Sequence, residues 1–288
     1  MDGATGRTEA WMRADAMAAV RLLSTLRGAE AAVAGWMLAS MDTRTNRVAG
    51  TQAEISSADG FFSLHARGGA PAPSTVTRAL RVLGGKPDGE RRLRLPFVVM
   101  ERPGLYMVNP AYAFVGRQRA GAELSRSFER LRSAAGVGAS YKFRVGKGGW
   151  VKTGRMQLAA TLATLRGAEA QVAAYLLAST DARTNTIRAT QAMAAAGEVD
   201  RAGLAARLGT LPTPGTTVTK AAMRLLAGGE ARDGRRLDTP FCVMVGYGRY
   251  MLNPACFFVG GDDKGAELRR RFRRLDIERN GGRGPSVA

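Results

Sequence analysis

The heptapeptide TLRGAEA occurs at Thr25 to Ala31 and again at Thr164 to Ala170, and an identity of that length at a spacing of 139 residues marks an internal duplication. A chain so built has to fold as two versions of one unit. At the same spacing Trp11 matches Trp150, Met17 matches Met156, and the pattern LAS-D-RTN at Leu38 to Asn46 returns at Leu177 to Asn185. The spacing widens to 142 at Thr75-Val76-Thr77 against Thr217-Val218-Thr219 and to 144 at Pro96-Phe97 against Pro240-Phe241, a drift that small loop insertions explain. YMVNP against YMLNP and GAEL against GAEL continue the match, so the repeat covers residues 11–132 and 150–276.

Each copy reads as a string of short elements. Trp11 to Leu26 has the apolar spacing of a helix, and Glu30 to Ser40 adds a second, Ala-rich one that stops at the polar turn Asp42 to Asn46. Thr51 opens a short helix with Glu54 in capping-box spacing, although Met193 takes that place in the second copy. A loop that holds His65 and contains Gly68, Gly69, Pro71 and Pro73 then leads into STVTRALRVLGG; its counterpart, with Pro212 and Pro214, leads into TTVTKAAMRLLAGG. Both segments start with hydroxyl residues and end in Gly-Gly, the signals of a capped helix. PFVVMERPGLYMVNP and PFCVMVGYGRYMLNP are β-rich runs around a Gly-containing turn, hence hairpins. Last, Leu124, Phe128 and Leu131, like Leu268, Phe272 and Leu275, line one face of a closing helix. The expected fold class is mainly α with small β-hairpin wings, an α+β chain of two tandem winged helix-turn-helix domains. The expected division is 1–132 for the first repeat, 133–149 for a Gly-rich linker, 150–279 for the second repeat and 280–288 for a disordered tail.

Charge narrows the chemistry. Lys and Arg number 43 against 24 Asp and Glu, a formal charge of +19, and such a surface attracts polyanions. A GC-rich genome would also enrich Arg and Ala, so the placement of the cations has to decide. His65 is the only histidine, which removes paired-histidine metal sites, and with them a nicking nuclease, and also a Ser-His-Asp triad. Cys242 and Cys256 are too few for a disulfide framework or a four-cysteine zinc site, and whether they pair is left open. No enzyme activity, metal or cofactor is expected. With no apolar run of about 18 residues and no signal-peptide core at the N-terminus, the reading is a cytoplasmic protein without membrane contact.

In a helix-turn-helix arrangement the third helix enters the major groove with its first turns toward the base edges. Ser74, Thr75, Thr77, Arg78 and Arg81 take that place in the first copy, and Thr216, Thr217, Thr219, Lys220 and Arg224 in the second. Both copies keep T-V-T followed by a cation. Arg91 and Arg92 before the first hairpin, matched by Arg235 and Arg236, are candidate phosphate grips, as are Arg270 and Arg271 within the closing-helix run Arg269, Arg270, Arg271, Arg273 and Arg274. Tyr141 to Arg144 alternates aromatic and cation, which fits a phosphate contact or, as readily, a short strand.

The succession L-A-S-M-D, T-R-T-N-R, G-T-Q-A-E-I, S-T-V-T-R-A-L, G-L-Y-M-V-N-P and F-V-G resembles the RepL family of plasmid replication proteins, which are winged-helix origin binders. The resemblance covers Ala31 to Gly116 and, with fewer matches, Gln171 to Gly260. This chain departs from that pattern in carrying two copies and in the long segment Asp59 to Ala72. The resemblance implies a plasmid or phage replication initiator that binds origin repeats, with Thr75, Thr77 and Arg78 in recognition-helix positions. Its expected partners are double-stranded DNA and host replication proteins. A winged-helix transcriptional regulator is the alternative, and a general nucleic-acid-binding protein stands third. The chain would act as a monomer with internal pseudo-symmetry or as a homodimer.

Overall fold

The computed structural model describes residues 11–65, 69–86, 93, 95–137, 150–188, 191–198, 203–204, 211 and 216–280. About half of them are helical, with three small antiparallel sheets, an α+β architecture. Copy one runs β1 (Met12–Asp15), α1 (Ala16–Thr25), α2 (Ala29–Ser40), β2 (Arg47–Ala49), α3 (Gln52–Ser56), α4 (Asp59–His65) and α5 (Pro73–Leu83). It continues with β3 (Val98–Arg102), β4 (Leu105–Val108), β5 (Phe114–Val115) and α6 (Gln118–Ala134). Copy two supplies β6 (Trp150–Thr153), α7 (Arg155–Thr164), α8 (Gly167–Ala178), β7 (Thr186–Arg188), α9 (Gln191–Ala196), α10 (Thr216–Leu226), β8 (Cys242–Gly246), β9 (Arg249–Leu252) and α11 (Asp262–Asn280).

Two expectations are corrected. Trp11 to Leu26 is not one helix, because Met12–Asp15 pairs in a sheet and the helix starts only after Asp15, whose side chain accepts from Ala18 N at 2.9 Å. His65 is not a loop residue, because it is the last residue of helix α4. The capping box on α3 is present with both bonds, Glu54 N to Thr51 Oγ1 at 3.2 Å and Thr51 N to Glu54 Oε2 at 2.6 Å. Helix α5 begins on Pro73, where a missing N–H costs nothing, and ends at Gly84 and Gly85.

The recurring motifs earn their places as fasteners. Asp42 Oδ1 accepts from Arg44 N, Thr45 N and Thr45 Oγ1, and Asp181 does the same with Arg183 N, Thr184 N and Thr184 Oγ1. These bonds, led by Thr45 Oγ1 for Asp42 and Thr184 N for Asp181, hold both carboxyls below the usual carboxylate range. Next in line, Asn46 and Asn185 take φ of 55° and 56°, a left-handed conformation that asparagine tolerates. Each is buried, and its amide ties two separate carbonyls: Asn46 Nδ2 donates to Val108 O and Ala113 O, Asn185 Nδ2 to Leu252 O and Phe257 O. The asparagine of each YMxNP motif does likewise, with Asn109 bonding Pro96 O and Ala111 N, and Asn253 bonding Pro240 O and Ala255 N. A buried amide must be paired, so these positions accept little else.

Each hairpin takes a third strand from upstream, giving the orders β2-β4-β3 and β7-β9-β8. Both carry a register shift at the same repeat position, between Met100 and Arg102 and between Met244 and Gly246. Their turns use Gly104 and Gly248 at φ of 75° and 62°, where a Cβ would be strained. The closing helices lay their apolar faces on these sheets: Leu124, Phe128 and Leu131 cover Val99 and Met107, and Leu268, Phe272 and Leu275 cover Val243 and Met251.

The copies do not bury separate cores. One apolar cluster joins Leu23, Val33 and Met37 of copy one to Leu158, Leu162 and Tyr175 of copy two. The contacts that join them are reciprocal, α1 against α8 and α2 against α7. At the second of these contacts a Cβ on Gly35 would lie 2.5 Å from Ala159 O, so only glycine permits the approach. Trp11 meets Phe258 edge-on at 5.0 Å between ring centroids, and Trp150 meets Phe114 at 5.3 Å. Between them β1 and β6 pair antiparallel, with Met12 opposite Thr153, Arg13 opposite Lys152 and Ala14 opposite Val151. The residues 133–149 thus join two repeats that are packed into one body.

Candidate nucleic-acid interface

Helix α5 is sharply two-sided. Val76, Ala79, Val82 and Leu83 are buried, while Ser74, Thr75, Arg78 and Arg81 lie exposed along the opposite face. Spacings of three and four residues keep these polar side chains on one stripe. Thr77 leans back toward α3, its Oγ1 lying 2.9 Å from both Gln52 Oε1 and Pro73 O. In α10 the exposed stripe is Thr217, Lys220 and Arg224, over buried Ala222, Met223, Leu225 and Leu226. Lys220 and Arg224 stand four residues apart where Arg78 and Arg81 stand three, because the second copy has one more residue between its two cations, yet both pairs share a face.

Two of the sequence-derived candidates point elsewhere. Thr219 is fully buried in α10, so its hydroxyl is not available to a base or phosphate. Arg235 is also buried, with only 7% of its side chain accessible. Its guanidinium bonds Glu169 Oε1 and Oε2 at 2.8 and 2.7 Å, Asp233 Oδ2 at 2.7 Å and Thr164 O at 2.6 Å, and Arg166 Nη1 reaches the same Asp233 oxygen at 3.0 Å. Arg235 therefore clamps the segment before β8 onto the α7 to α8 corner, while the contact that Glu169 shares with its counterpart Glu30 is the backbone N–H of Arg166 or Arg27, three residues before it. The neighbouring guanidinium holds Asp233 below the usual carboxylate range, and despite burial the two carboxylates push Arg235 up. Arg236, next in sequence, is exposed. Arg91, Arg92, the tract Tyr141 to Arg144 and the tail 281–288 lie outside the described residues, as does the side chain of Thr216.

Arg270 and Arg271 are exposed on α11, with Arg273 and Arg274 beside them. Arg269 turns inward instead and stacks on Trp11 at 5.0 Å from the ring centroid. Cys242 and Cys256 are free thiols, both buried, and burial pushes each up to about 12, so neither is a thiolate at neutral pH.

The second hairpin adds residues that the sequence reading missed. Arg188 on β7 stands directly opposite Arg249 on β9, and both are exposed. Like charges facing each other across a ladder are unfavourable without an anion between or above them. Tyr247 at the hairpin tip is 98% exposed, and Met244 on β8 is exposed too. The dipeptides around Arg188 and Arg249 carry no warning of this in sequence, because only the strand register makes them neighbours. Among the described residues no helix is long and apolar enough to cross a membrane.

No family model, curated protein or solved structure matches this chain.

Proposed function

We propose that the chain is a sequence-specific double-stranded DNA-binding protein, acting by binding rather than catalysis, in which each copy is a winged helix-turn-helix unit. In copy one, α3 and α5 form the helix-turn-helix and β3 with β4 the wing. In copy two, α9, α10 and the β8 to β9 hairpin correspond. One observation carries the reading: at equivalent places in both copies, a helix with a buried and mainly apolar inner face presents Thr and two cations on its outer face, with the hairpin as the next described element. Thr75, Arg78 and Arg81, and Thr217, Lys220 and Arg224, would meet base edges, while Arg270, Arg271, Arg273, Arg188, Arg249 and Arg236 would grip phosphates. The net charge of +19 supplies the long-range attraction. With the RepL resemblance, the role proposed is replication initiation at an origin carrying repeated sites, with host replication proteins as further partners.

Fluorescence anisotropy with labelled DNA from beside the gene tests this. The reading expects a complex with one duplex that survives an excess of unrelated duplex and weakens steeply with salt. Equal affinity for single strands, or for every duplex offered, would replace it with a general nucleic-acid binder.

A further inference from the structure

The two copies meet as the halves of a two-fold dimer do. Exchanging each residue for its partner in the other copy, 139 positions away here and 144 at Phe114 and Phe258, turns Met12 opposite Thr153 into Ala14 opposite Val151, which is another rung of the same ladder. Arg13 opposite Lys152 turns into itself. The local axis therefore passes through that rung. The same exchange turns α1 on α8 into α7 on α2, and Trp11 on Phe258 into Trp150 on Phe114, both of which are present. Such reciprocity defines an isologous contact, whose operator is a rotation by half a turn. Helix α5 is held to its copy by α2 and α10 to its own by α8, so the two candidate recognition helices inherit that rotation.

Resting on the proposed DNA-binding reading, we infer that the single chain recognises an inverted repeat, not a direct one. Two reading heads related by half a turn match half-sites of opposite strand polarity, because duplex DNA has two-fold axes perpendicular to its length. A direct repeat relates its halves by translation along the duplex, which this arrangement does not supply. The half-sites are also held at one spacing, since the two copies share one core. The inversion is imperfect. Arg78 faces its half-site where Lys220 faces the other, and the planar guanidinium fork and the compact ammonium present different donor geometries to a base edge.

Selection of retained sequences from random duplex DNA by the full chain tests the inference. The expected product is two related half-sites in inverted orientation at a fixed separation, with affinity falling by about 10²-fold when about five base pairs are added between them. Half-sites in direct orientation, or one half-site alone, would overturn the inference while leaving DNA recognition intact. A pool with no enriched motif would instead remove the reading on which it rests.

Discussion

The hairpins of the two copies share strand order, register shift and glycine turn, yet they treat charge in opposite ways. In copy one, Arg47 on β2 is closed by Glu101 on β3, with Nε to Oε2 at 2.6 Å and Nη2 to Oε1 at 3.3 Å. That pairing holds Glu101 below its usual range and pushes Arg47 up. In copy two, Thr186 stands where Arg47 would, and the ladder instead sets Arg188 against Arg249. The closing helices repeat the contrast. Ser127 and Glu129 of α6 become Arg271 and Arg273 of α11, while the inward Leu, Phe and Leu are unchanged. Packing holds the inner faces alike, and the outer faces have diverged toward more unpaired cation in copy two. The pattern supports one copy weighted toward reading sequence and the other toward gripping phosphate.

The inner faces should be equivalent, and that is the first way to break the comparison. Phe128→Ala and Phe272→Ala should each cost about 3–5 kcal/mol, and because the copies share a core both should lower one common thermal transition. Two separate transitions, one per copy, would contradict the single body. Arg235→Ala should cost about 3 kcal/mol, since it strands a largely buried Glu169 without its partner. Differential scanning calorimetry reads both effects, and a neutral Arg235→Ala would mean that the clamp carries no weight.

Outer-face changes should spare stability and alter binding. Arg271→Ala and Arg273→Ala should each reduce the slope of log affinity against log salt by about 1, whereas Arg126→Ala on α6 should change it less. Equal slopes in all three variants would erase the division of labour. Thr51→Ala, which removes the capping box that copy two lacks, should cost about 1 kcal/mol in chemical denaturation. The smallest effect concerns acid. Asp42 and Asp181 are both held below their ordinary value of 3.8, so the stability they contribute is present above that pH and is lost as pH falls through their lower folded values. Asp42→Asn and Asp181→Asn should therefore lower the melting temperature at pH 7 more than at pH 3, and by similar amounts, because this turn is alike in both copies.

Elements with long-range rhythm were legible in the sequence: the duplication, the hairpins, the apolar stripes of α6 and α11, and the cap on α3. What escaped were features set by distant partners. Strand β1 has four residues, and its partners are the distant two-residue β5 and, in the other copy, β6, so its apolar spacing merges with the helix that follows. Strands β2 and β7 have three residues each, too few to show alternation. Arg235 reads as one more surface cation until Glu169 and Asp233 are seen around it. Thr219 reads as a copy of Thr77, but the fold turns it fully inward. Asn46, Asn109 and their counterparts could have been found, because an asparagine that recurs after a polar turn signals a left-handed residue or a buried amide. These asparagines belong to the motifs that carry the RepL resemblance, so that resemblance speaks for the frame more than for the reading surface.

Hydroxyl-radical footprinting of the full chain on its selected duplex tests most directly whether one chain presents two DNA-reading surfaces. Two protected patches should appear within about two helical turns, with Arg81→Ala weakening one and Arg224→Ala the other. A single patch, or two patches that fade together in both variants, would contradict the account.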